Sequence, residues 1–267
     1  MKKLVLSLGL LLAVGCAPQD QSSLTNNADN IVGGKKIDVT NIAGQSTVGI
    51  YSKDVGYICT GTLVAPNVVL TAGHCVDKNS KEIVIMFAPE MKNAKKDQIR
   101  KVVQAVVHPQ YGDEIKAKDM YDVALMKFEG QAPVAYKVAP MLFDRSAIRT
   151  DSRTIVAGYG LSWTIGPKAG AGTLRTTDLK ISDANFSNTE VLLDQSVLRG
   201  ICSGDSGGPA YLNINGVLHV WGVASRGDSL PGWLTPKCML FSVFTRVDAH
   251  QAFIQDTMTL LQETPAQ

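Results

Sequence analysis

From Ile31 onward the chain alternates short apolar runs with clusters of Gly, Pro, Asn and Asp. Runs at 62–65, 68–71, 83–87, 102–107, 123–128, 154–157 and 217–225 are too short for helices and rich in β-branched side chains, the pattern of half-buried or buried strands. Their number predicts an all-β sandwich or barrel architecture. Residues 130–150 hold Pro133 and Pro140 and carry no strand signal, which places a connection between two halves there. One helix is expected, at the C-terminal end. Val247, His250, Phe253, Ile254, Met258 and Leu261 recur mostly at three- and four-residue steps and make a single apolar stripe.

The N-terminus has a different pattern. Lys2 and Lys3 precede an apolar run at 4–14 that is too short to span a bilayer, the layout of an export signal over residues 1–16. The run ends in Leu12-Ala13-Val14-Gly15-Cys16, which resembles the lipobox of bacterial lipoproteins and implies lipidation of Cys16 after cleavage. Ala13 stands where leucine is more usual, and an ordinary secretory signal is the alternative. Residues 17–30 are polar without a hydrophobic period and read as a flexible tether or propeptide ahead of a domain at 31–267.

Composition narrows the class. Of 267 residues, 45% are apolar, which excludes disorder and a polytopic membrane protein. The net charge of +2 predicts no nucleic-acid partner, and Lys92, Lys95 and Lys96 read as a solvated loop. There are five cysteines, and setting Cys16 aside leaves Cys59, Cys75, Cys202 and Cys238. An even number in an exported chain predicts disulfides, in any of three pairings. A zinc site is not expected, since the spacing of close ligand pairs is missing.

Three segments carry chemistry. Gly204-Asp205-Ser206-Gly207-Gly208-Pro209 places a serine among glycines, where a substrate can approach the backbone closely; the hydroxyl still needs a neighbouring base to become a nucleophile. Thr71-Ala72-Gly73-His74-Cys75 supplies a histidine. Asp122 stands directly before the apolar run Val123-Ala124-Leu125-Met126. Together with Ile31-Val32-Gly33-Gly34 these segments resemble the trypsin/chymotrypsin family of serine proteases, in that family's order and across residues 31–267. Gly204-x-Ser206-x-Gly208 also meets the nucleophile-elbow pattern of α/β-hydrolases. That fold needs a helix after the serine and a downstream acid and histidine, whereas Pro209 and a strand-like stretch follow here. His108, His219 and His250 read as structural.

The resemblance implies two packed antiparallel β-barrels with a C-terminal helix, and a serine endopeptidase needing no cofactor. It implies Ser206 as nucleophile, His74 as general base, Asp122 as the carboxylate that orients it, and the Gly204 and Ser206 amides as oxyanion hole. It implies the disulfides Cys59–Cys75 and Cys202–Cys238. It further implies a zymogen, activated when cleavage before Ile31 frees an α-amino group to pair with Asp205. Asn30 precedes that bond in place of the usual Arg or Lys, so either another protease or the enzyme itself makes the cut.

Gly200 occupies the position six residues before the serine where trypsin-like members carry an acid, and Ile201 adds apolar bulk. Ser225, Gly227 and Ser242 match the rest of the substrate pocket, with a long intervening loop at 228–237. Cleavage after small to medium apolar residues is expected. Arg226 replaces a usual aromatic, either favouring acidic substrate groups or lying outward in solvent. Expected partners are protein or peptide substrates, the activating protease and, before activation, a lipid anchor at the outer membrane or cell surface; the activated form is expected to be a soluble, secreted monomer. A catalytically silent binding protein and an esterase or lipase are the competing classes.

Overall fold

The computed structural model describes residues 31–76, 80, 82–112, 118–162, 169–196, 199–227 and 238–263. The strands are β1 (Lys35–Lys36), β2 (Thr47–Ser52), β3 (Ile58–Ala65), β4 (Val68–Thr71), β5 (Ile83–Met86), β6 (Ile99–Val107), β7 (Ala124–Phe128), β8 (Arg153–Gly158), β9 (Arg175–Asp183), β10 (Glu190–Asp194), β11 (Pro209–Ile214), β12 (Val217–Gly227) and β13 (Phe241–Arg246), followed by helix α1 (Gln251–Glu263). β2-β3-β4-β7-β6-β5 closes into an antiparallel barrel. β8-β9-β10-β13-β12-β11 closes into a second, through the β8–β9 ladder, and β1 adds to β9 at its edge. This is the two-barrel architecture that the resemblance implied, and closure leaves neither sheet with a long open edge.

Every strand expected from the apolar runs is present. Several others escape that reading for physical reasons. β9 alternates strictly, with Leu179 and Ile181 inward and Asp178, Lys180 and Ser182 outward, but its first inward positions are Arg175 and Thr177. An apolar count therefore finds half a strand there. The apolar run of β2 is interrupted by Gly49, where the space for a Cβ is taken by Met91.

Each barrel has its own core. Ile50, Leu63, Leu70, Leu125 and Phe128 fill the first, and Trp221, Phe244, Leu193 and Ile181 the second. The first cluster runs on across the seam to Tyr211, Val220 and Val223 of the second barrel. Buried polar groups cross the same seam. The Tyr211 hydroxyl lies 2.7 Å from Ser46 Oγ and 3.2 Å from Thr47 Oγ1. α1 packs Ile254 and Leu261 on the first barrel, and the buried ammonium of Lys127 on β7 donates to the Leu261 carbonyl at 2.6 Å, where a helix C-terminus favours a cation.

The turn into α1 holds an unusual group. His250 is buried, with its ring 4.9 Å from that of His108, which stacks on Tyr121; among the described residues its Nε2 has no hydrogen-bond partner. Burial first, and the neighbouring imidazole second, push His250 down to about 4, and burial lowers His108 as well. A histidine so depressed is neutral in the fold but protonated in the unfolded chain. Its contribution to stability is therefore complete above the ordinary value of 6.5 and is lost as pH falls toward about 4. Through His250 alone, each pH unit within that window removes up to about 1.4 kcal/mol. Thermal unfolding between about pH 7 and pH 4.5 is expected to show a steeper fall in midpoint for the wild type than for His250→Phe; parallel curves would assign the acid lability to other groups.

Candidate active site

His74 lies in the short 3-10 turn Gly73–Cys75, separated from the end of β4 by one residue, and Asp122 stands two residues before β7. β4 and β7 are ladder neighbours, with Thr71 opposite Ala124, so both side chains emerge at one end of the first barrel. His74 Nδ1 is 2.8 Å from Asp122 Oδ2, and the His74 backbone N–H donates to Oδ1 at 3.0 Å. Ser225 Oγ, reaching over from β12 of the second barrel, donates to Oδ2 at 2.7 Å. Asp122 is 1% exposed, and these donors satisfy its carboxylate. Because an ionised carboxylate only accepts, the Nδ1 position carries the imidazole proton and Nε2 is left free to take one.

The pKa shifts follow from this arrangement. Burial pulls the Asp122 carboxyl up, but the hydrogen bond and charge of His74 with the Ser225 hydroxyl outweigh it and hold the pKa below the ordinary carboxylate value. Burial pulls His74 down, and the Asp122 hydrogen bond and charge more than offset that, leaving the imidazole above 6.5. The ring keeps 32% of its side-chain surface open to an incoming group.

Ser206 comes from the opposite barrel, in the loop before β11. Its carbonyl accepts the Thr60 N–H at 2.8 Å and lies 3.5 Å from Cys75 Sγ, next in sequence to His74. Thr60 Oγ1 donates to the Gly204 carbonyl at 2.8 Å and accepts the Tyr159 N–H at 3.0 Å. One threonine of β3 thus pins the serine loop against the histidine. Gly204 and Gly207 have φ of 101° and 78°, a region open to glycine. Among the described residues the Gly204 and Ser206 amides donate to no protein acceptor.

Asp205 between them is wholly buried. Its Oδ1 accepts the Gly160 N–H at 2.7 Å and its Oδ2 the Cys202 N–H at 2.8 Å. Burial pushes its carboxyl up to about 7 against the pull of those amides and of the Arg175 charge. Ile31 is buried too, and Val32 is bridged to Gly200, on the segment leading to Asp205.

The family model described as Trypsin matches residues 31–254. Chymotrypsin-like elastase family member 1 from Canis lupus familiaris is 30% identical over 214 residues, 76% of this chain and 81% of the relative. Duodenase-1 from Bos taurus is 29% identical over 248 residues, 88% of this chain and 92% of the relative. A trypsin from Saccharopolyspora erythraea is 30% identical over 216 residues, 76% of this chain and 91% of the relative. The chain belongs to the trypsin family of serine proteases. It is a serine endopeptidase.

In the protease the disulfides pair as the resemblance implied, Cys59 with Cys75 and Cys202 with Cys238. Cys59, His74 and Cys75 make the one compact group of metal-type ligands among the described residues, and both sulfurs are consumed by their disulfide. Ser225, Gly227 and Ser242 come together on β12 and β13, where Gly227 is the register partner of Ser242. Gly200 packs so closely on Gln195 that a Cβ would lie 2.1 Å from its carboxamide carbon. Ile201 sits in the core of the second barrel. The loop at 228–237 lies outside the described residues, as do Cys16 and the tether.

Arg226 corrects one reading. It does not lie outward in solvent, because Glu190 on β10 takes its guanidinium at 2.6 and 3.0 Å. Glu190 and Thr60 were both missed. Glu190 did carry a signal, since Glu190-Val191-Leu192-Leu193 repeats the acid-before-apolar-run pattern of Asp122. Nothing in the sequence marks Thr60 apart from its place beside Cys59.

Gly207 lies at a close approach of the two barrels. A Cβ there would lie 2.0 Å from Thr71 Oγ1 and 2.5 Å from the Thr60 carbonyl, at a φ of 78°. Gly207→Ala is expected to lower stability by about 2–4 kcal/mol, measured by denaturant unfolding; a loss within about 0.5 kcal/mol would mean that the seam yields at no cost.

Proposed function

We propose that Ser206 is the nucleophile, His74 its general base and Asp122 the carboxylate that holds the base. The observation that carries this reading is the Asp122–His74 hydrogen bond at the rim of one barrel with the Ser206 loop tied to the same rim by Thr60. As Ser206 Oγ attacks a peptide carbonyl, its proton passes to His74 Nε2 and later to the leaving amine. Asp122 keeps the Nδ1 proton in place and stabilises the imidazolium, and the acyl-enzyme is then released by water along the same path. The Gly204 and Ser206 N–H groups receive the developing oxyanion, each worth about 2.7–4 kcal/mol in such sites.

Activation follows from Asp205. A buried carboxylate held by two amides is a poor anion until a cation joins it. Cleavage before Ile31 creates one at a residue that is already buried and precedes Val32, the bridge partner of Gly200. The activating enzyme is a second protease or the protein itself. Residues 1–16 direct export and residues 17–30 tether the precursor through a lipidated Cys16, with the peptidase domain beginning at Ile31. Since no cysteine in 17–30 can bind the tether to that domain, activation frees a soluble, monomeric enzyme from the membrane. The uncharged Gly200, in the position where trypsin-like members carry an acid, and the small Gly227 and Ser242, register partners on β12 and β13, favour small to medium apolar side chains at the cleaved bond.

Secreted protein is expected to begin at Ile31 and to cleave peptides after Ala, Val or Leu in preference to Arg, while Ser206→Ala is inactive. Efficient cleavage after Arg alone would overturn the specificity, and active protein still joined to a lipidated tether would overturn the release. The pH dependence of kcat/KM tests the base. His74 must be neutral to accept a proton and its pKa is raised, so activity is expected to rise through an apparent pKa above 6.5 and to be lost below it. Asp122→Asn is expected to lower kcat by about 10,000-fold with the fold intact.

A further inference from the structure

Glu190 opens β10 with a carboxylate that has no exposed surface. Arg226 on β12 meets it through both terminal nitrogens, Nη1 to Oε1 at 2.6 Å and Nη2 to Oε2 at 3.0 Å, the planar fork that favours bidentate pairing. The same two oxygens also accept backbone amides, Oε2 that of Asp119 at 2.8 Å and Oε1 that of Met120 at 3.3 Å. The Asp119 side chain returns the contact, accepting the Thr189 N–H at 3.1 Å and the Thr189 hydroxyl at 2.7 Å.

The segment gripped in this way is the one that delivers Asp122. Asp119 and Tyr121 have φ of 58° and 53°, left-handed conformations that a Cβ disfavours, with Met120 between them. Two such residues in three do not hold their shape by local preference. External bonds must hold it, and Glu190 supplies two of them. The other end of the pair reaches Asp122 by a second route. Arg226 follows Ser225, whose hydroxyl donates to Asp122 Oδ2, and Arg226 Nη1 lies 3.4 Å from that same hydroxyl oxygen. Glu190 and Arg226 therefore join the backbone that carries Asp122 to the strand that carries its second-barrel donor.

We propose that the Glu190–Arg226 ion pair consists of positioning residues for Asp122, fixing the direction from which its carboxylate meets His74 Nδ1. The proposal rests on the reading of Ser206, His74 and Asp122 as the hydrolytic machinery. Neither member of the pair touches substrate in this role. It differs from a packing ion pair, whose loss lowers stability alone, and from a substrate wall, whose loss falls on KM.

The test compares Glu190→Gln, Arg226→Gln and the double variant, which leaves no uncompensated buried charge and keeps the experiment open if a single variant fails to fold. The readouts are kcat and KM on a peptidyl anilide ending in Ala or Leu, the acidic limb of the pH profile, thermal midpoint, and the low-field proton resonance of His74 Nδ1–H, assigned by its loss in Asp122→Asn. A misplaced Asp122 is expected to lower kcat by about 10- to 100-fold in the double variant with KM little changed. Both single variants are expected to move the acidic limb downward and to weaken the Nδ1–H resonance.

If the pair acted through charge alone, removing the anion would move the limb down and removing the cation would move it up, with the neutral double variant like the wild type; that pattern overturns the proposal. Unchanged kcat, or a loss carried by KM alone, overturns it as well. A wild-type protein that hydrolyses no peptide would defeat the functional reading on which it rests. The Nδ1–H resonance would still decide the positioning claim, its loss in the double variant supporting it and its persistence refuting it.

Discussion

The two halves of the site belong to different barrels, so everything depends on how firmly one barrel is registered against the other. Thr60 bears much of that task. From β3 it donates its amide to Ser206 and its hydroxyl to Gly204, and accepts from Tyr159. Each of these polar groups is buried or nearly so, and a buried donor left unpaired costs about 1–3 kcal/mol, so a small slip of the barrels breaks several bonds at once. Apolar packing across the seam supplies attraction but no such direction. The Tyr211 hydroxyl against Ser46 and Thr47 repeats the device farther along.

A second constraint is the handling of buried negative charge. Asp122, Asp205 and Glu190 all lie out of water, and the fold treats each differently. Asp122 is satisfied by donors from both barrels and stays ionised beside an imidazole. Glu190 has a guanidinium and two amides. Asp205 has two amides, and burial pushes its carboxyl up to about 7 against their pull and that of the Arg175 charge. The differences are set by which donors the neighbouring strands bring.

Much was legible in advance where chemistry and local pattern coincide. Ser206 among its glycines, His74 beside Cys75 and Asp122 before an apolar run are short-range features, and β4, β7 and β12 follow from short apolar runs bounded by turn residues. The terminal helix was visible because Ile254 and Leu261 repeat on one face. β9 was not, because Arg175 and Thr177 occupy inward positions that an apolar count treats as polar. The fate of Arg226 was equally hidden. Its partner Glu190 lies on β10, and the two meet only because β13 stands between β10 and β12 in the barrel.

The sequence by itself determined the class of strands, the identity of the chemical groups and their family. These depend on residue type and on spacings of a few positions, where backbone geometry is nearly the same in every protein. Only the tertiary structure decided which groups meet: Thr60 with the Ser206 loop, Ser225 with Asp122, Glu190 with both Arg226 and the amides of Asp119 and Met120. Those contacts join residues far apart along the chain, and closing a barrel fixes them through strand order and register, quantities that no local run of side chains carries.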